Sequence, residues 1–186
     1  MISTSDFKRG STVEVDGHLY RMEEVQHVKT KKSAVYRVKL RDLRGGHITE
    51  RTFNAGDKLP VARVERRTMQ YLYGDGEMYT FMNSETFDQV MVRREVIADA
   101  LPYLKENDDV QMVLYGDEAL GIELPAAVEL LITQSDPGVK GDTAQGATKP
   151  ATLETGLVVN VPLFVEPGDR IKVNTADARY IERVKS

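Results

Sequence analysis

The stretch HLYRMEEVQHVKTKKSAVYRVKLRDL, residues 18–43, sets the fold of the first part of the chain. Its two flanking runs have the β-branched, alternating character of strands, and KTKKS at residues 29–33 is predicted to form the tip of a hairpin. Lys29, Lys31 and Lys32 stand together at this tip, where their like charges repel one another. Lysine also protects exposed strand edges from aggregation, so the cluster has an ordinary explanation as well as a functional one. The functional explanation is that this cluster of positive charge binds phosphate.

Short strands and tight turns continue outward from this hairpin. An Asp-Gly pair at residues 16–17 predicts a two-residue turn before it, and the glycines of RGG at residues 44–46 predict another turn after it. NAGDKL, residues 54–59, predicts a further turn, followed by a strand at residues 61–67. Strands and turns at this spacing predict a small β-barrel of about 60 residues.

The rest of the chain has the same character, so the fold class is predicted to be all-β. The pattern of residues 68–92 predicts three strands, interrupted at GDG and NSET. The apolar stripe of residues 92–104 predicts a short helix that Pro102 breaks or kinks. The middle and last thirds each predict about five strands, as in an OB-like barrel. A polar segment at residues 139–156 has little apolar periodicity, and long loops of this kind are usually functional or disordered.

Composition limits the classes of function. The chain has 186 residues, of which 41% are hydrophobic and 29% charged, and it has no cysteine, which excludes disulfides, thiol catalysis and zinc–thiolate sites. The three histidines lack zinc-ligand spacing, and no P-loop, GxSxG or dinucleotide-binding motif occurs. We therefore expect no enzyme activity, no metal and no bound cofactor. Without a membrane-spanning run or a signal peptide, we expect a cytoplasmic protein that does not contact a membrane.

Charge is distributed unevenly along the chain. Residues 1–65 carry 13 Lys+Arg and 9 Asp+Glu, a net charge of +4, whereas residues 66–128 carry −7 and residues 129–186 carry −1. A basic domain often indicates nucleic-acid binding. Only the first third fits that pattern, and its excess of positive charge is small.

Beyond these patterns, the sequence resembles bacterial elongation factor P over essentially its whole length. KGDTAQGATKPATLETGLVVNVPLFVEPGDRIKV, residues 140–173, matches that family nearly residue for residue. MISTSDFKRG, RTFNAGDKL and QYLYGDGEMYTFMNSETF match the family's pattern in the same order. The resemblance implies three small barrels in an L-shaped arrangement: an SH3-like, KOW-type domain at residues 1–65 and OB-like domains at residues 66–128 and 129–186.

The same resemblance implies a function in translation. Members of the family bind the ribosome between the peptidyl and exit tRNA sites and relieve stalling at consecutive prolines by positioning the peptidyl-tRNA. The implied partners are both ribosomal subunits, the peptidyl-tRNA and the messenger RNA codon in the exit site. A lysine-modifying enzyme is a further implied partner, and the chain is expected to act as a monomer.

The hairpin tip is the first implied site, because in the family a basic residue there reaches the CCA end of the peptidyl-tRNA. The usual tip has lysine, proline and glycine, then the modified lysine or arginine, then two small residues and alanine. This chain has Lys29-Thr30-Lys31-Lys32-Ser33-Ala34, which lacks both glycines of the family tip and is one residue shorter. Counting forward from Lys29 places Lys32 at the modified position, whereas counting back from Ala34 places Lys31 there, and we favour Lys32. Many members carry β-lysine or aminopentanol on lysine, or rhamnose on arginine, so covalent modification of Lys32 or Lys31 is a hypothesis for this chain.

The second implied site is the loop GDTAQG, residues 141–146, which matches the family loop proposed to touch the exit-site codon. Flanking lysines are expected to contact phosphate. The residues predicted for this contact to messenger or ribosomal RNA are Lys140, Gly141, Asp142, Thr143, Gly146 and Lys149.

Three other interpretations stay open. An elongation factor P-like paralogue would share the scaffold but prefer other stalls. A general OB-fold nucleic-acid binder would interleave aromatic and basic residues, whereas the middle third sets its aromatic residues among acidic ones, which disfavours this class. Those aromatic residues are Tyr71, Tyr73, Tyr79 and Phe81. A small-barrel enzyme is disfavoured because no catalytic constellation is present.

Overall fold

The computed structural model describes residues 1–137 and 146–185, and within them the chain is almost entirely β-structure. The α-helical structure there is a single turn, α1, at Arg94–Ile97, and 3-10 helices lie at Thr4–Asp6 and Leu101–Tyr103. The all-β prediction is confirmed. No helix in the described ranges is long and apolar enough to cross a membrane.

The first six strands form a four-stranded antiparallel sheet and a two-stranded ribbon. Their bounds are β1 Ile2–Ser3, β2 Thr12–Val15, β3 His18–Lys29, β4 Ala34–Asp42, β5 Ile48–Asn54 and β6 Lys58–Leu59. The N-terminal sheet has the order β2-β3-β4-β5, and β1 pairs with β6. β3 and β4 stay paired to Lys29 and Ala34, which confirms the predicted hairpin.

The turns around this sheet follow from local sequence. Asp16 and Gly17 both have positive φ, 52° and 79°, as a two-residue type I′ hairpin turn requires. The strand predicted at residues 61–67 is wrong in its first half, because regular pairing begins only at Glu65. Pro60 has no N–H to donate, and Val61 forms only an isolated bridge, with Val13.

Alternation along β2, β3 and β4 turns one face of the N-terminal sheet into a core. Its buried residues are Phe7, Val13, Val15, Tyr20, Met22, Val38 and Leu40. Val25, Tyr36, Phe53, Ile2 and Leu59 are partly buried against them. The hairpin stem is therefore anchored by its apolar face.

The middle of the chain forms a five-stranded sheet with the order β11-β10-β7-β8-β9. The bounds are β7 Glu65–Gly74, β8 Met78–Asn83, β9 Gln89–Arg93, β10 Asp109–Tyr115 and β11 Glu118–Glu123. The three strands predicted at residues 68–92 are confirmed. The helix predicted at residues 92–104 is present only as α1 and the following 3-10 turn that contains Pro102, whose ring prevents a continuous helix.

The last five strands form a sheet with the order β14-β13-β12-β15-β16. The bounds are β12 Ala127–Ser135, β13 Thr148–Leu153, β14 Val158–Pro162, β15 Arg170–Asn174 and β16 Tyr180–Arg183. β12 pairs with β15 from Ala127 to Leu131 and with β13 from Ile132 to Ser135, and the second pairing has a register irregularity between Ile132 and Gln134. Buried side chains from these strands, including Leu130, Ile171 and Val173, form the core.

The chain separates into two compact units. The first contains Met1–Arg67 and Met112–Gly121, and the second contains Thr68–Gln111 and Ile122–Ser186. The first unit thus holds the N-terminal sheet and the turn region of the β10–β11 hairpin. The three-domain division at residues 1–65, 66–128 and 129–186 stays a prediction.

Candidate functional site

The tip of the β3–β4 hairpin is a four-residue turn closed by its own hydrogen bonds. The Thr30 N–H donates to the Ser33 carbonyl oxygen over 2.8 Å, and the Ser33 N–H donates to Thr30 Oγ1 over 3.1 Å. Thr30 Oγ1 also lies 2.9 Å from the Ser33 carbonyl oxygen, to which its hydroxyl donates. Lys31 and Lys32 are left as the two central residues, so the structure places both candidate lysines at the apex.

This turn does not need the glycines that the family tip has. A position favours glycine mainly when its φ is positive, as at Gly17. Neither Lys31 nor Lys32 has a positive φ. Lysine can therefore occupy both apex positions without backbone strain.

The cationic groups of the tip are free to meet a ligand. Lys29, Lys31 and Lys32 are all exposed. Among residues 1–137 and 146–185, no carboxylate forms an ion pair with any of the three. The tip thus carries concentrated, uncompensated positive charge.

Basic residues lower on the stem are compensated instead. Lys39 Nζ lies 2.8 Å from Glu24 Oε2, and this pairing lowers the pKa of Glu24 and raises that of Lys39. Arg21 and Arg41 both reach Glu23 Oε1, at 2.8 Å and 3.0 Å, and the hydrogen bond from Arg21 is the main cause of the lowered pKa of Glu23. Net positive charge on the hairpin is therefore concentrated at the tip.

An aromatic stack braces the stem below the tip. The rings of His27 and Tyr36 are parallel, with 4.3 Å between centroids and an interplanar angle of 4°. Tyr36 meets Phe7 edge-on at 6.2 Å, and Phe7 meets Phe53 edge-on at 5.6 Å. The stack connects the exposed end of the hairpin to the core beneath it.

Sequence reasoning missed this brace, although a signal for it exists. In a hairpin with a two-residue apex at Lys31 and Lys32, counting outward pairs His27 with Tyr36, which is the observed register. Paired residues share one face of the sheet, so two aromatic rings at these positions are expected to meet.

The second predicted site is only partly described. Lys140, Gly141, Asp142 and Thr143 lie outside the described residues. Gly146 is exposed, with a φ of +88°. Lys149 lies in β13 opposite Val161 and is 6% exposed. The contact of this loop with RNA stays a prediction.

The middle sheet does not present the aromatic surface of a general single-strand binder. Tyr71, Tyr79 and Phe81 are buried, and the rings of Tyr71 and Phe81 pack with 5.4 Å between centroids. Tyr73 is exposed. Three of the four aromatic residues therefore serve the core rather than a stacking platform.

Two solved structures share the all-β fold of this chain. The "eukaryotic translation initiation factor 5A" from Methanococcus jannaschii aligns over 66% of this chain and 92% of its own, at 20% identity and a TM-score of 0.53. A translation initiation factor eIF-5A family protein from Naegleria fowleri aligns over 66% and 94%, at 17% identity and a TM-score of 0.50. At these identities the similarity establishes the fold alone.

Sequence comparisons identify the family. Residues 3–59 match the elongation factor P KOW-like domain, residues 64–122 its OB domain and residues 128–183 its C-terminal domain. Elongation factor P from Pelotomaculum thermopropionicum is 52% identical over 99% of this chain and 100% of its own length. That from Moorella thermoacetica is 53% identical over 98% and 100%. The chain belongs to the elongation factor P family of translation factors.

Proposed function

We propose that this chain binds the ribosome between the peptidyl and exit tRNA sites and speeds peptide-bond formation at consecutive prolines by positioning the peptidyl-tRNA. Membership of the elongation factor P family supports the role in translation. The observation that carries the proposal is the apex itself, where Lys31 and Lys32 are exposed on a braced hairpin. In the described part of the chain neither lysine is paired with a carboxylate.

The chemistry requires orientation rather than a group that breaks bonds. Proline reacts slowly because its ring fixes φ and constrains its nitrogen. Holding two reactants in a productive pose can remove a large part of a reaction barrier, up to about 7–11 kcal/mol in ideal cases. A lysine ammonium on a flexible stem suits contact with the phosphates of a tRNA end, so this chain would act without being an enzyme itself.

Covalent lengthening of Lys32 or Lys31 by a modifying enzyme is part of the proposal. A longer cation would reach deeper toward the CCA end from the same apex. The mass of the peptide that carries residues 29–34, isolated from the native host, tests this point. An unmodified mass would overturn the modification and leave two unmodified lysines as the acting groups.

A second contact is proposed for the loop at residues 141–146, together with Lys140; Lys149, which is 6% exposed, would join this contact only if its side chain became exposed on the ribosome. The loop would touch the messenger RNA codon in the exit site, while the tip touches the peptidyl-tRNA. The chain would act in the cytoplasm as a monomer bound to both ribosomal subunits.

The experiment is a reconstituted bacterial translation system with a Pro-Pro-Pro reporter and a matched reporter without prolines. Added protein is expected to speed synthesis of the first reporter and to leave the second unchanged. Failure to stimulate Pro-Pro-Pro synthesis would contradict the proposal, and stimulation at other arrest motifs alone would identify the paralogue. Tight binding to free single-stranded oligonucleotides without ribosomes would favour the general binder.

A further inference from the structure

Within the first compact unit, an ion pair joins the N-terminal sheet to the Met112–Gly121 segment, which contains the turn of the β10–β11 hairpin. Arg44 Nε donates to Glu118 Oε1 over 2.9 Å, and Arg44 Nη2 donates to Glu118 Oε2 over 2.9 Å. This bidentate geometry is the strongest form of the arginine–carboxylate pair and cannot be copied by lysine. Each residue shifts the pKa of the other, raising that of Arg44 and lowering that of Glu118.

The turn that carries Arg44 is held in place by a buried carboxylate. Asp42 Oδ1 accepts the N–H of Arg44 over 2.7 Å and that of Gly45 over 2.8 Å. The Asp42 N–H donates to the His47 carbonyl oxygen, and the Gly46 N–H donates to the Asp42 carbonyl oxygen, each over 2.9 Å. The guanidinium of Arg44 is thus projected from a fixed backbone, which lowers the entropy cost of the ion pair.

The partner residue is placed equally well. Glu118 begins β11 directly after the turn that contains Gly116, whose φ of +61° tightens the hairpin. Met112–Gly121 fall in the same compact unit as Met1–Arg67. Backbone proximity and the ion pair therefore associate the same two segments.

We propose that Arg44 is a positioning residue that fixes the Met112–Gly121 segment to the N-terminal sheet, so that the first unit carries the lysine tip as one rigid body. A base that does not flex limits the space that the tip can sample, which favours a mechanism by orientation. The tie itself is independent of the proposed function, whereas its effect on translation rests on that function.

The test compares three variants with a control. Arg44→Gln and Glu118→Gln each remove the pair, and the double variant Arg44→Glu/Glu118→Arg restores it with reversed charges. Arg51→Gln is the matched control, because Arg51 forms an equally short, exposed pair with Asp16, 2.8 Å, that does not reach the β10–β11 hairpin. Amide hydrogen exchange of residues 112–121 and Pro-Pro-Pro synthesis are measured for each protein.

In each single variant, the amide hydrogens of residues 112–121 are expected to exchange about two- to fivefold faster than in the parent protein at low salt. The effect is small because exposed ion pairs are modest in strength. The difference should fall at about 1 M salt, where charges are screened. The swapped pair should restore both slow exchange and synthesis, while Arg51→Gln changes neither. Unchanged exchange in both single variants would overturn the tie.

The translation arm separates this inference from the proposed function. Faster exchange with undiminished proline synthesis would overturn the positioning role. If the parent protein itself gives no stimulation, the proposed function fails, and the exchange measurements still decide whether Arg44 ties the hairpin.

Discussion

The imidazole of His27 lies parallel to the phenol ring of Tyr36, 4.3 Å away, at the third residue pair of the β3–β4 ladder counted from Lys29 and Ala34 beside the turn. At this height β3 has β4 as its neighbour, because β2 pairs only with the His18–Arg21 portion of β3. An unsupported hairpin end is expected to fray. The stack supplies side-chain packing in the part of β3 that no longer pairs with β2.

Removing the stack should loosen the hairpin. His27→Ala is expected to lower the free energy of unfolding by about 0.5–1.5 kcal/mol, the range measured for aromatic pairs. Chemical denaturation measures this change, and amide exchange at Lys29 reports it locally. His27→Phe is the control that keeps a ring and should remain close to the parent protein. Equal stability of the alanine and phenylalanine variants would contradict a bracing role.

The apex turn depends on the hydroxyl of Thr30. Thr30→Val keeps the branched shape but removes the acceptor of the Ser33 N–H, so exchange of that amide should accelerate by a factor of about 3–10. Thr30→Ser keeps the oxygen and should behave like the parent protein. Nuclear magnetic resonance resolves the single amide. A Ser33 amide that exchanges at the parent rate in Thr30→Val would show that the hydroxyl does not hold the turn.

Most of the fold was predictable because it follows local rules. The alternation of apolar residues predicted the strands, and the Asp16-Gly17 pair predicted its turn. Pro102 predicted that the helix would be short, and α1 is a single turn. The strand predicted at residues 61–67 failed in its first half because alternation carries no information about whether a neighbouring strand is available. Pro60 was the local sign that pairing would be interrupted.

Acid should weaken the turn that holds Arg44. Burial by itself raises the pKa of Asp42, but the hydrogen bonds from the N–H groups of Gly45 and Arg44 and the nearby His47 and His18 outweigh this effect and hold the pKa below its usual value. A carboxyl with a lowered pKa in the folded state stabilises the protein above its unfolded pKa and loses this contribution as pH falls through the folded pKa.

Asp42→Asn is therefore expected to be less stable than the parent by about 1 kcal/mol at pH 7, with the gap closing as pH falls below about 4. Urea unfolding at several pH values measures the gap. Asp6→Asn changes the charge equally at an exposed position and serves as the control. A gap that is the same at pH 7 and pH 3 would contradict the charge of Asp42 as its source.

Close packing in the middle sheet makes a separate prediction. A Cβ added to Gly74 would overlap the ring of Tyr79, its partner in the register of β7 and β8. Gly74→Ala should therefore cost about 1–3 kcal/mol of unfolding free energy. The same change made in a Tyr79→Ala background should cost much less, because the ring is gone. An equal cost in both backgrounds would show that the overlap is not the cause.

The tip was predictable as a charged turn, but its tertiary contacts were not. Lys31 and Lys32 were identified from sequence. The geometry of the turn does not distinguish between them, because both occupy the apex. The Arg44–Glu118 pair joins residues 74 positions apart, and no local pattern signals such a contact. Contacts of this kind depend on how strands pack in three dimensions.

The rate of Pro-Pro-Pro synthesis with Lys31→Ala/Lys32→Ala tests the central claim most directly. Lys8→Ala/Lys58→Ala removes the same charge from two other exposed lysines of the N-terminal unit and is the matched control. We expect the tip variant to lose at least about tenfold in stimulation, equivalent to about 1.4 kcal/mol of transition-state stabilisation, while the control keeps full activity. Full stimulation by the tip variant, or an equal loss in both, would contradict a role for the apex lysines in positioning the peptidyl-tRNA.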